Sequence, residues 1–252
     1  MKIENTKKQL IVDLESWKTA FIEVDKEKNW EEGRSACTLA KYFTTPNIEE
    51  SYGIKKIKEY LEALGFSNLK FNSAEIEHES RFDSFRGQGR MQDLVIWGES
   101  EKGRILACIE AKVDEKFNEL LNKAYDTAKQ KFEKAPNSNA QKRIEELCDK
   151  YLNVSAESIK SGDGNNIRYQ LLYYLAGSIC EAKEYGNVVF MPIMVFKTDE
   201  YNKTEGDRTR EDYKQFIKAL KFEMCNKEKG IFKRTFEGID VYISYIEIDF
   251  KK

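Results

Sequence analysis

The chain has 252 residues, of which 42 are Lys or Arg, 44 are Asp or Glu and one is His. This length is typical of one large domain, or of one domain with a helical elaboration. Because His78 is the only histidine, a multi-histidine zinc site, an HNH-type nuclease and a two-histidine phosphodiesterase are excluded. A Ser-His-Asp or Cys-His site would have to use that same residue.

The cysteines, the N-terminus and the net charge exclude further classes. The five cysteines are far apart, odd in number and never form a CxxC pair. This pattern argues against a zinc ribbon and against a disulfide framework, and it favours a reducing, cytoplasmic location. No apolar run is long enough for a signal peptide or a membrane span. Since the net charge is −2, nucleic-acid binding would need a local basic cluster.

Apolar spacing predicts three helices in the first quarter of the chain. Residues 8–24 and 30–43 show helical periodicity. A third helix is predicted to open at Thr45-Pro46, because proline is tolerated at the first helical position, and to stop near Gly65. The first apolar stripe is formed by Leu10, Leu14, Trp17 and Phe21, and the third by Ile54, Ile57, Leu61 and Leu64.

The pattern then changes to one that favours strands. Residues 93–97 and 104–113 are apolar runs joined by the turn-prone segment GESEKG, which predicts an antiparallel hairpin. The other predicted elements are extended segments in 68–83, charged helices in 115–152, a loop at 161–166, a buried helix at 167–182, an interior strand at 187–196 with Pro192 at an edge or bulge, a helix at 209–220 and a closing strand at 239–250.

This order of elements predicts an α/β fold with one mixed central sheet flanked by helices. We expect residues 1–44 to form an N-terminal helical extension packed on the core. Residues 45–252 would form the core itself, with a helical insertion at about 115–160.

The predicted hairpin carries the polar residues of greatest interest. Glu110 and Lys112 interrupt the apolar run 105–113, and residues two apart on a strand share a face. Asp93 opens the partner strand. Pairing Trp97 with Arg104 places Asp93 within two residues of the position opposite Glu110, a normal uncertainty of register. The sequence therefore predicts two carboxylates and one ammonium group close together.

Two neighbouring carboxylates suit a divalent cation. Hard oxygen ligands favour Mg²⁺ or Mn²⁺ over zinc. Without a cation, two buried acids repel and one takes up a proton. The alternative is a structural salt bridge between Glu110 and Lys112 at the end of a sheet. Acid-x-base triplets are common in so charged a chain, and Asp114-Glu115-Lys116 is another, so the position inside an apolar hairpin carries the argument.

The pattern Asp93…Glu110-Ala111-Lys112 resembles that of the PD-(D/E)XK nuclease superfamily, which has the restriction-endonuclease-like fold. The resemblance covers the hairpin closely and the rest of the chain only as an order of elements. Gln92 stands where many members have proline. The resemblance implies that Asp93, Glu110 and the Ala111 carbonyl bind Mg²⁺ or Mn²⁺, and that Lys112 orients or deprotonates the attacking water.

Two further polar positions match this superfamily. Glu50 lies on the stripe of the third helix and resembles a first-helix glutamate that binds the metal or its water, although it could equally be a helix-start carboxylate. Gln170 and Tyr174 are four apart on the buried helix and resemble a Gln-x-x-x-Tyr motif whose glutamine reaches the site. Their alternative is a hydrogen-bonded polar group in the core.

A basic segment precedes Asp93 and is a candidate for phosphate binding. Arg81, Arg86 and Arg90 lie among glycines in SRFDSFRGQGRMQD and could grip a nucleic acid, or could form a solvated loop. His78 is expected to be a surface or hydrogen-bonded residue, and Glu79 is a further candidate ligand.

The sequence thus predicts a divalent-metal-dependent nuclease of the cytoplasm, with DNA rather than RNA as the expected substrate. No GxxxxGK[ST] string is present, so no NTPase motor is expected. The rival is a non-catalytic nucleic-acid-binding or protein-interaction module that keeps this fold. A homodimer would suit cleavage of both strands, but the sequence shows no dimer seam. A Cys or Ser hydrolase is disfavoured unless His78 is central.

Overall fold

A computed structural model describes residues 1–24, 27–155, 158–159 and 166–251 of the chain. Within these residues a single mixed sheet organises the fold. Its strands are β1 (Lys2–Asn5), β2 (Leu10–Ile11), β3 (Lys70–Ser80), β4 (Arg90–Ser100), β5 (Gly103–Lys112), β6 (Val188–Lys197), β7 (Glu223–Asn226), β8 (Ile231–Phe236) and β9 (Ile239–Asp249).

The strand order in the sheet is β2-β1-β3-β4-β5-β6-β9-β8-β7. At its centre, β3, β4 and β5 are antiparallel neighbours, whereas β6 runs parallel to both β5 and β9. At the edges, β1 lies parallel to β3, and β2, β7 and β8 are added in antiparallel fashion.

Helices cover both faces of this sheet. They are α1 (Leu14–Ile22), α2 (Ser35–Thr44), α3 (Tyr52–Ala63), α4 (Leu121–Lys134), α5 (Ala140–Leu152), α6 (Tyr169–Tyr185) and α7 (Lys203–Ala219). Alternation along β4 buries Leu94 and Ile96 in one core with α1, α2 and α3, and Val95 in a second core with α4 to α7. The predicted α/β fold with a mixed sheet flanked by helices is confirmed.

The N-terminal region contributes strands as well as helices, so its description as a helical extension is wrong. Leu10 lies in β2 and is 55% exposed, not on the buried stripe of a helix. The first helix starts only at Leu14, because the Asp13 side chain accepts a hydrogen bond from the Ser16 N–H at 2.8 Å and caps the helix. Residues 1–44 therefore belong to the same sheet and core as the rest.

The third helix begins later than predicted. It starts at Tyr52, where the Ser51 hydroxyl accepts from the Ile54 N–H at 3.3 Å, rather than at Pro46. Its end is as expected: Leu64 is the C-cap and Gly65 has φ +79°. The later start matters for Glu50, whose predicted place on the helix depended on a start at Pro46.

The hairpin of β4 and β5 is tighter than predicted. Ser100 pairs with Gly103, so only two residues form the turn and most of the predicted turn segment is strand. Gly98 is a strand residue of β4 and pairs with Ile105. Glycine suits this position because a Cβ there would lie 2.7 Å from the Phe71 ring. Trp97 consequently pairs with Leu106, not with Arg104.

Pro192 lies in β6 near the centre of the sheet, where a residue without an N–H must interrupt a ladder. The pairing of β5 with β6 is interrupted between Ala107–Phe190 and Glu110–Ile193. Tyr174 of α6 donates its hydroxyl to the Cys108 carbonyl in this gap, at 2.6 Å.

The remaining expectations agree with the observed elements where they can be compared. The charged region 115–152 contains α4 and α5, and the buried helix is α6. The helix predicted at 209–220 starts earlier, at Lys203, because Asn202 caps it. Of the loop predicted at 161–166, only residue 166 is among the described residues. Within the described residues, no helix combines the length and the apolar character that a bilayer crossing requires.

Candidate active site

The hairpin register brings Asp93 and Glu110 together. The last pair between β4 and β5 is Leu94 with Ile109, so Asp93 and Glu110 are the next residues on the two strands. Beyond that pair, the Ala111 N–H donates to the Asp93 carboxylate at 2.7 Å instead of to a backbone carbonyl of β4. The predicted pairing of Trp97 with Arg104 was wrong by two residues, and the observed register favours the proximity of the two acids.

Glu110 is the centre of a buried polar cluster. It is 1% exposed, and its Oε1 lies 2.7 Å from Lys112 Nζ and accepts from Gln170 Nε2 at 2.6 Å. Its other oxygen, Oε2, accepts from the Arg90 guanidinium. Strand β5, helix α6 and the first residue of β4 thus supply three donors to one carboxylate.

The two carboxylates have opposite electrostatic environments. Burial and the negative charge of Glu110 together raise the pKa of Asp93 to about 7. Burial alone would also raise the pKa of Glu110, but the charges of Arg90 and Lys112 outweigh it and lower that pKa. Neighbouring acids with separated pKa values are a feature of catalytic sites, although structural ion pairs also perturb pKa values.

These residues open onto a cavity of about 360 Å³. Asp93, Glu110, Lys112 and Gln170 line it together with the segment that joins α1 to α2. A substrate group could therefore reach both carboxylates and the lysine. Residues at this cavity that the sequence reasoning did not identify are Lys28, Glu31, Arg34, Glu77 and Glu115.

Glu77 is the most informative of these additional residues. It lies in β3 between the pairs Ile76–Leu94 and His78–Gln92, which places it beside Asp93. Its φ of +48° is unusual for a glutamate inside a strand. The register of β3 against β4 would have identified Glu77, but neither strand shows that register in its apolar pattern.

Arg34 and Glu115 also line the cavity. Arg34 pairs with Asp114 at 2.9 Å and with Glu115 at 3.4 Å. The Glu115 carboxylate also accepts from the N–H groups of Val113 at 2.5 Å and Ser35 at 3.3 Å. These contacts fix the start of α2 against the end of β5.

Three predicted site residues need correction. Glu50 is exposed, precedes α3 and lines a separate surface depression beside Met1 and Leu10, so it does not belong to this site. Tyr174 is 0% exposed and holds β5 and β6 together, so it cannot contact a nucleic acid. Arg90 is paired with Glu110 and, unlike Lys112, is not among the described residues that line the cavity, so it is a buried counter-ion rather than a phosphate-gripping residue.

The other two arginines of the basic segment are exposed. Arg81 has 72% of its side chain accessible, and Arg86 also faces solvent in the loop between β3 and β4. The loop is held by α5, because Arg143 pairs with Asp83 at 2.5 Å and donates to the Gln88 carbonyl at 3.3 Å. The helical insertion therefore supports the loop that presents these two charges.

His78 does not line this cavity and has partners of its own. Its Nδ1 lies 2.7 Å from Glu75 Oε1, and its Nε2 forms an ion pair, rather than an aligned hydrogen bond, with Glu181 Oε1 at 3.0 Å. This agrees with the expected hydrogen-bonded histidine and removes the basis for a His-dependent Cys or Ser hydrolase. Glu79 accepts from the Gly89 N–H at 2.8 Å.

The donor chemistry of the cavity fits a magnesium-type ion. Asp93 and Glu110 would supply carboxylate oxygens, and Ala111, which also lines the cavity, would supply its carbonyl. Among the described residues there is no group of three or more His, Cys, Asp or Glu side chains arranged to hold a metal. The residues present therefore offer two carboxylates and a backbone oxygen, and water or a substrate phosphate would have to complete the shell.

Comparison with known proteins places the chain in a family. Residues 11–250 match a domain of unknown function, DUF6946. The chain belongs to this DUF6946 family. No curated protein and no solved structure matches the chain. All the residues of the candidate site lie within the matched DUF6946 range, as do both helical layers, so the site is part of the family domain and not an addition to it.

Proposed function

We propose that this chain is a nuclease that hydrolyses phosphodiester bonds, with DNA as its substrate and Mg²⁺ or Mn²⁺ as its cofactor. The observation that carries the proposal is the convergence of Asp93, Glu110 and Lys112 on one cavity. The sheet adds support, because β4 and β5 are antiparallel and, after the inserted helices α4 and α5, α6 leads into β6, which runs parallel to β5. This agrees with the restriction-endonuclease-like order of elements.

Asp93, Glu110 and the Ala111 carbonyl would hold the cation. A cation bound there would polarise the scissile phosphate and lower the pKa of a water molecule. The protein's own groups fix the geometry: Gln170 and Lys112 both bind Glu110 Oε1, and the Ala111 N–H binds Asp93. Neither carboxylate is free to rotate away from the cavity.

Lys112 is suited to act as a cation in this reaction. Burial alone would lower the pKa of Lys112, but the charges of Glu110 and Asp93 outweigh it and raise that pKa. The ammonium group therefore stays protonated at neutral pH. Lys112 would then orient the attacking water and stabilise negative charge on the phosphate, rather than remove a proton.

The test is cleavage of plasmid and linear duplex DNA with Mg²⁺ or Mn²⁺. We expect Asp93→Ala and Lys112→Met to lower the rate by about 10²-fold or more, in line with the loss of a single charge-stabilising group. Arg104→Met is the matched control, because Arg104 lies on the same strand, beside Tyr185 and away from the cavity. Activity that survives intact in both site variants would refute the assignment.

The rival function, a non-catalytic binding module, has one observation in its favour. Both oxygens of Glu110 already accept hydrogen bonds from protein groups, two of them cationic. A site of this kind can be purely structural. Calorimetric titration with Mn²⁺ separates the two functions, because a module without a cofactor would show no uptake that depends on Asp93 and Glu110.

A further inference from the structure

Arg90 binds Glu110 but is not among the described residues that line the cavity. It is the first residue of β4 and is 8% exposed. Its guanidinium donates to Glu110 Oε2, whereas Lys112 and Gln170 bind Oε1. The described residues that line the cavity include Glu110, Lys112 and Gln170 but not Arg90. A group entering the cavity would therefore meet Glu110, Lys112 and Gln170, while Arg90 binds the other oxygen of Glu110.

Helix α6 is shaped to hold Arg90 in this position. The guanidinium lies 5.2 Å from the Tyr173 ring centroid and 5.8 Å from that of Tyr174, within the range of cation–π attraction. Gly177, one turn later, leaves room for the arginine stem: a Cβ there would lie 3.1 Å from Arg90 Cβ and 3.2 Å from its Cγ. The arginine is thus packed in place and not merely paired.

The inner cluster contains as many cationic as acidic side chains, although the salt bridges of both cations go to Glu110. Asp93 and Glu110 contribute two negative charges when ionised, and Arg90 and Lys112 contribute two positive charges. Counted over these four side chains alone, a divalent cation would bring the net charge to about +2, which is unfavourable in a low-dielectric environment and which the neighbouring Glu77 carboxylate would only partly offset. A phosphodiester brought in with the cation supplies negative charge and reduces that excess.

We propose that Arg90 is a resident counter-ion of Glu110 that makes divalent-cation binding depend on the simultaneous presence of a substrate phosphate. This inference rests on the proposed nuclease function and concerns the regulation of the same site. Arg90 orients Glu110 in the free protein. It also lowers the affinity of the free site for the cation, so that the cation loads together with nucleic acid.

The test measures Mn²⁺ binding by calorimetry and by the electron paramagnetic resonance signal of free Mn²⁺. The variants are Arg90→Met, Arg90→Gln and Arg90→Lys. The control is Arg104→Met, because Arg104 is an arginine of β5 that lies over a tyrosine ring of α6, that of Tyr185. We expect Met and Gln to tighten Mn²⁺ binding to the free protein by about tenfold, an ordinary size for coupled sites. Lys, which keeps the charge, and the control should stay close to the parent.

A second measurement tests the dependence on phosphate. In the parent, a saturating phosphorothioate DNA duplex should tighten Mn²⁺ binding by about tenfold, after subtraction of the Mn²⁺ bound by the duplex alone, whereas in Arg90→Met this coupling should shrink. Circular dichroism identifies the folded variants, and the Gln and Lys variants keep the test valid if Met does not fold.

The possible outcomes separate the two proposals. Equal Mn²⁺ affinity in the parent and in the folded Met or Gln variant would overturn the role of Arg90 and leave the nuclease proposal standing. Absence of Mn²⁺ binding in every variant, with and without DNA, would overturn both.

Discussion

Two charge clusters, one partly exposed and one buried, connect residues of the central strands with α6 and use similar residues in different ways. In the histidine cluster, His78 lies between Glu75 and Glu181, and Lys8 adds a further contact to Glu75 at 2.8 Å. In the carboxylate cluster, Glu110 receives Arg90, Lys112 and Gln170, while Asp93 stands beside it.

The clusters differ in how the acids share their cations. In the histidine cluster, burial alone would lower the pKa of His78, but contacts with Glu181 and Glu75 outweigh it and raise that pKa to about 9. Burial alone would likewise raise the pKa of Glu75, but contacts with His78 and Lys8 outweigh it and lower that pKa. In the carboxylate cluster the two cations favour Glu110, and the pKa of Asp93 is raised to about 7. A balanced cluster stabilises a fold, whereas an acid left under-compensated beside a cavity is poised for a ligand.

The largest expected effect comes from removing the shared acid. Glu110→Gln leaves Arg90 and Lys112 buried without their main counter-charge, and we expect it to lower the free energy of unfolding by about 4 kcal/mol. Urea denaturation measures this change. The matched control is Glu237→Gln, since Glu237 also pairs with two lysines but has 35% of its side chain exposed; its loss should be below about 1 kcal/mol. Equal losses would mean that burial of Glu110 adds nothing to its contribution to stability.

The contribution of the histidine cluster to the free energy of unfolding should depend on pH. Because the pKa of His78 is raised to about 9 in the fold, its stabilisation is fully present below about pH 6.5 and is lost as the pH rises through 9. We expect His78→Gln to cost about 3 kcal/mol at pH 6 and almost nothing at pH 10, in urea unfolding at each pH. Its Mn²⁺ binding should match that of the parent. A constant difference between parent and variant across this range would contradict the assigned protonation.

Asp93 should affect stability in the opposite direction, since its burial destabilises the fold as the pH rises. An acid with a raised pKa costs no stability below its ordinary pKa, and its cost grows until the pH passes the folded value of about 7. In the presence of a chelator, Asp93→Asn should therefore stabilise the protein by about 2 kcal/mol at pH 8 and leave it unchanged near pH 4. Asp114→Asn, which removes the partner of Arg34 at 2.9 Å, should not stabilise. A less stable Asp93→Asn at pH 8 would show that the cluster is already balanced.

How far the sequence alone predicts this arrangement depends on how local its signals are. The apolar runs and the charges that interrupt them identify the hairpin, Glu110, Lys112 and Asp93. The register does not follow, because Gly98 looks like a turn residue although it is a strand position required by the packing of Phe71. Helix capping by Ser51 instead of an opening at Pro46 likewise changes the place of Glu50.

A second reason why the sequence-based predictions differ from the structure is that some residues are placed by partners far away in the sequence. Arg90 and Arg86 belong to one basic segment, and nothing local distinguishes them. Arg90 is buried because Glu110, twenty residues later, and the rings of α6 receive it. The role of Glu77 depends in the same way on the register of β3 against β4. Gln170, by contrast, was expected to reach the site because it resembles the glutamine of a Gln-x-x-x-Tyr motif, and it does contact Glu110.

The smallest expected effect concerns Tyr174, which lies on α6 between Gln170 of the carboxylate cluster and Glu181 of the histidine cluster. Its hydroxyl donates to the Cys108 carbonyl at 2.6 Å, in the gap that Pro192 opens between β5 and β6. Tyr174→Phe keeps the buried ring and removes only that donor, so we expect a loss of about 1 kcal/mol in the free energy of unfolding.

Tyr185→Phe, which removes a donor to the Gly98 carbonyl from a half-buried ring, is the matched control and should cost less. Because the Tyr174 hydroxyl binds the Cys108 and Pro192 carbonyls of β5 and β6 and the ring is retained, the substitution should leave DNA affinity and the Mn²⁺ dissociation constant unchanged. A clear drop in DNA affinity without loss of stability would contradict this structural role and return Tyr174 to the binding site.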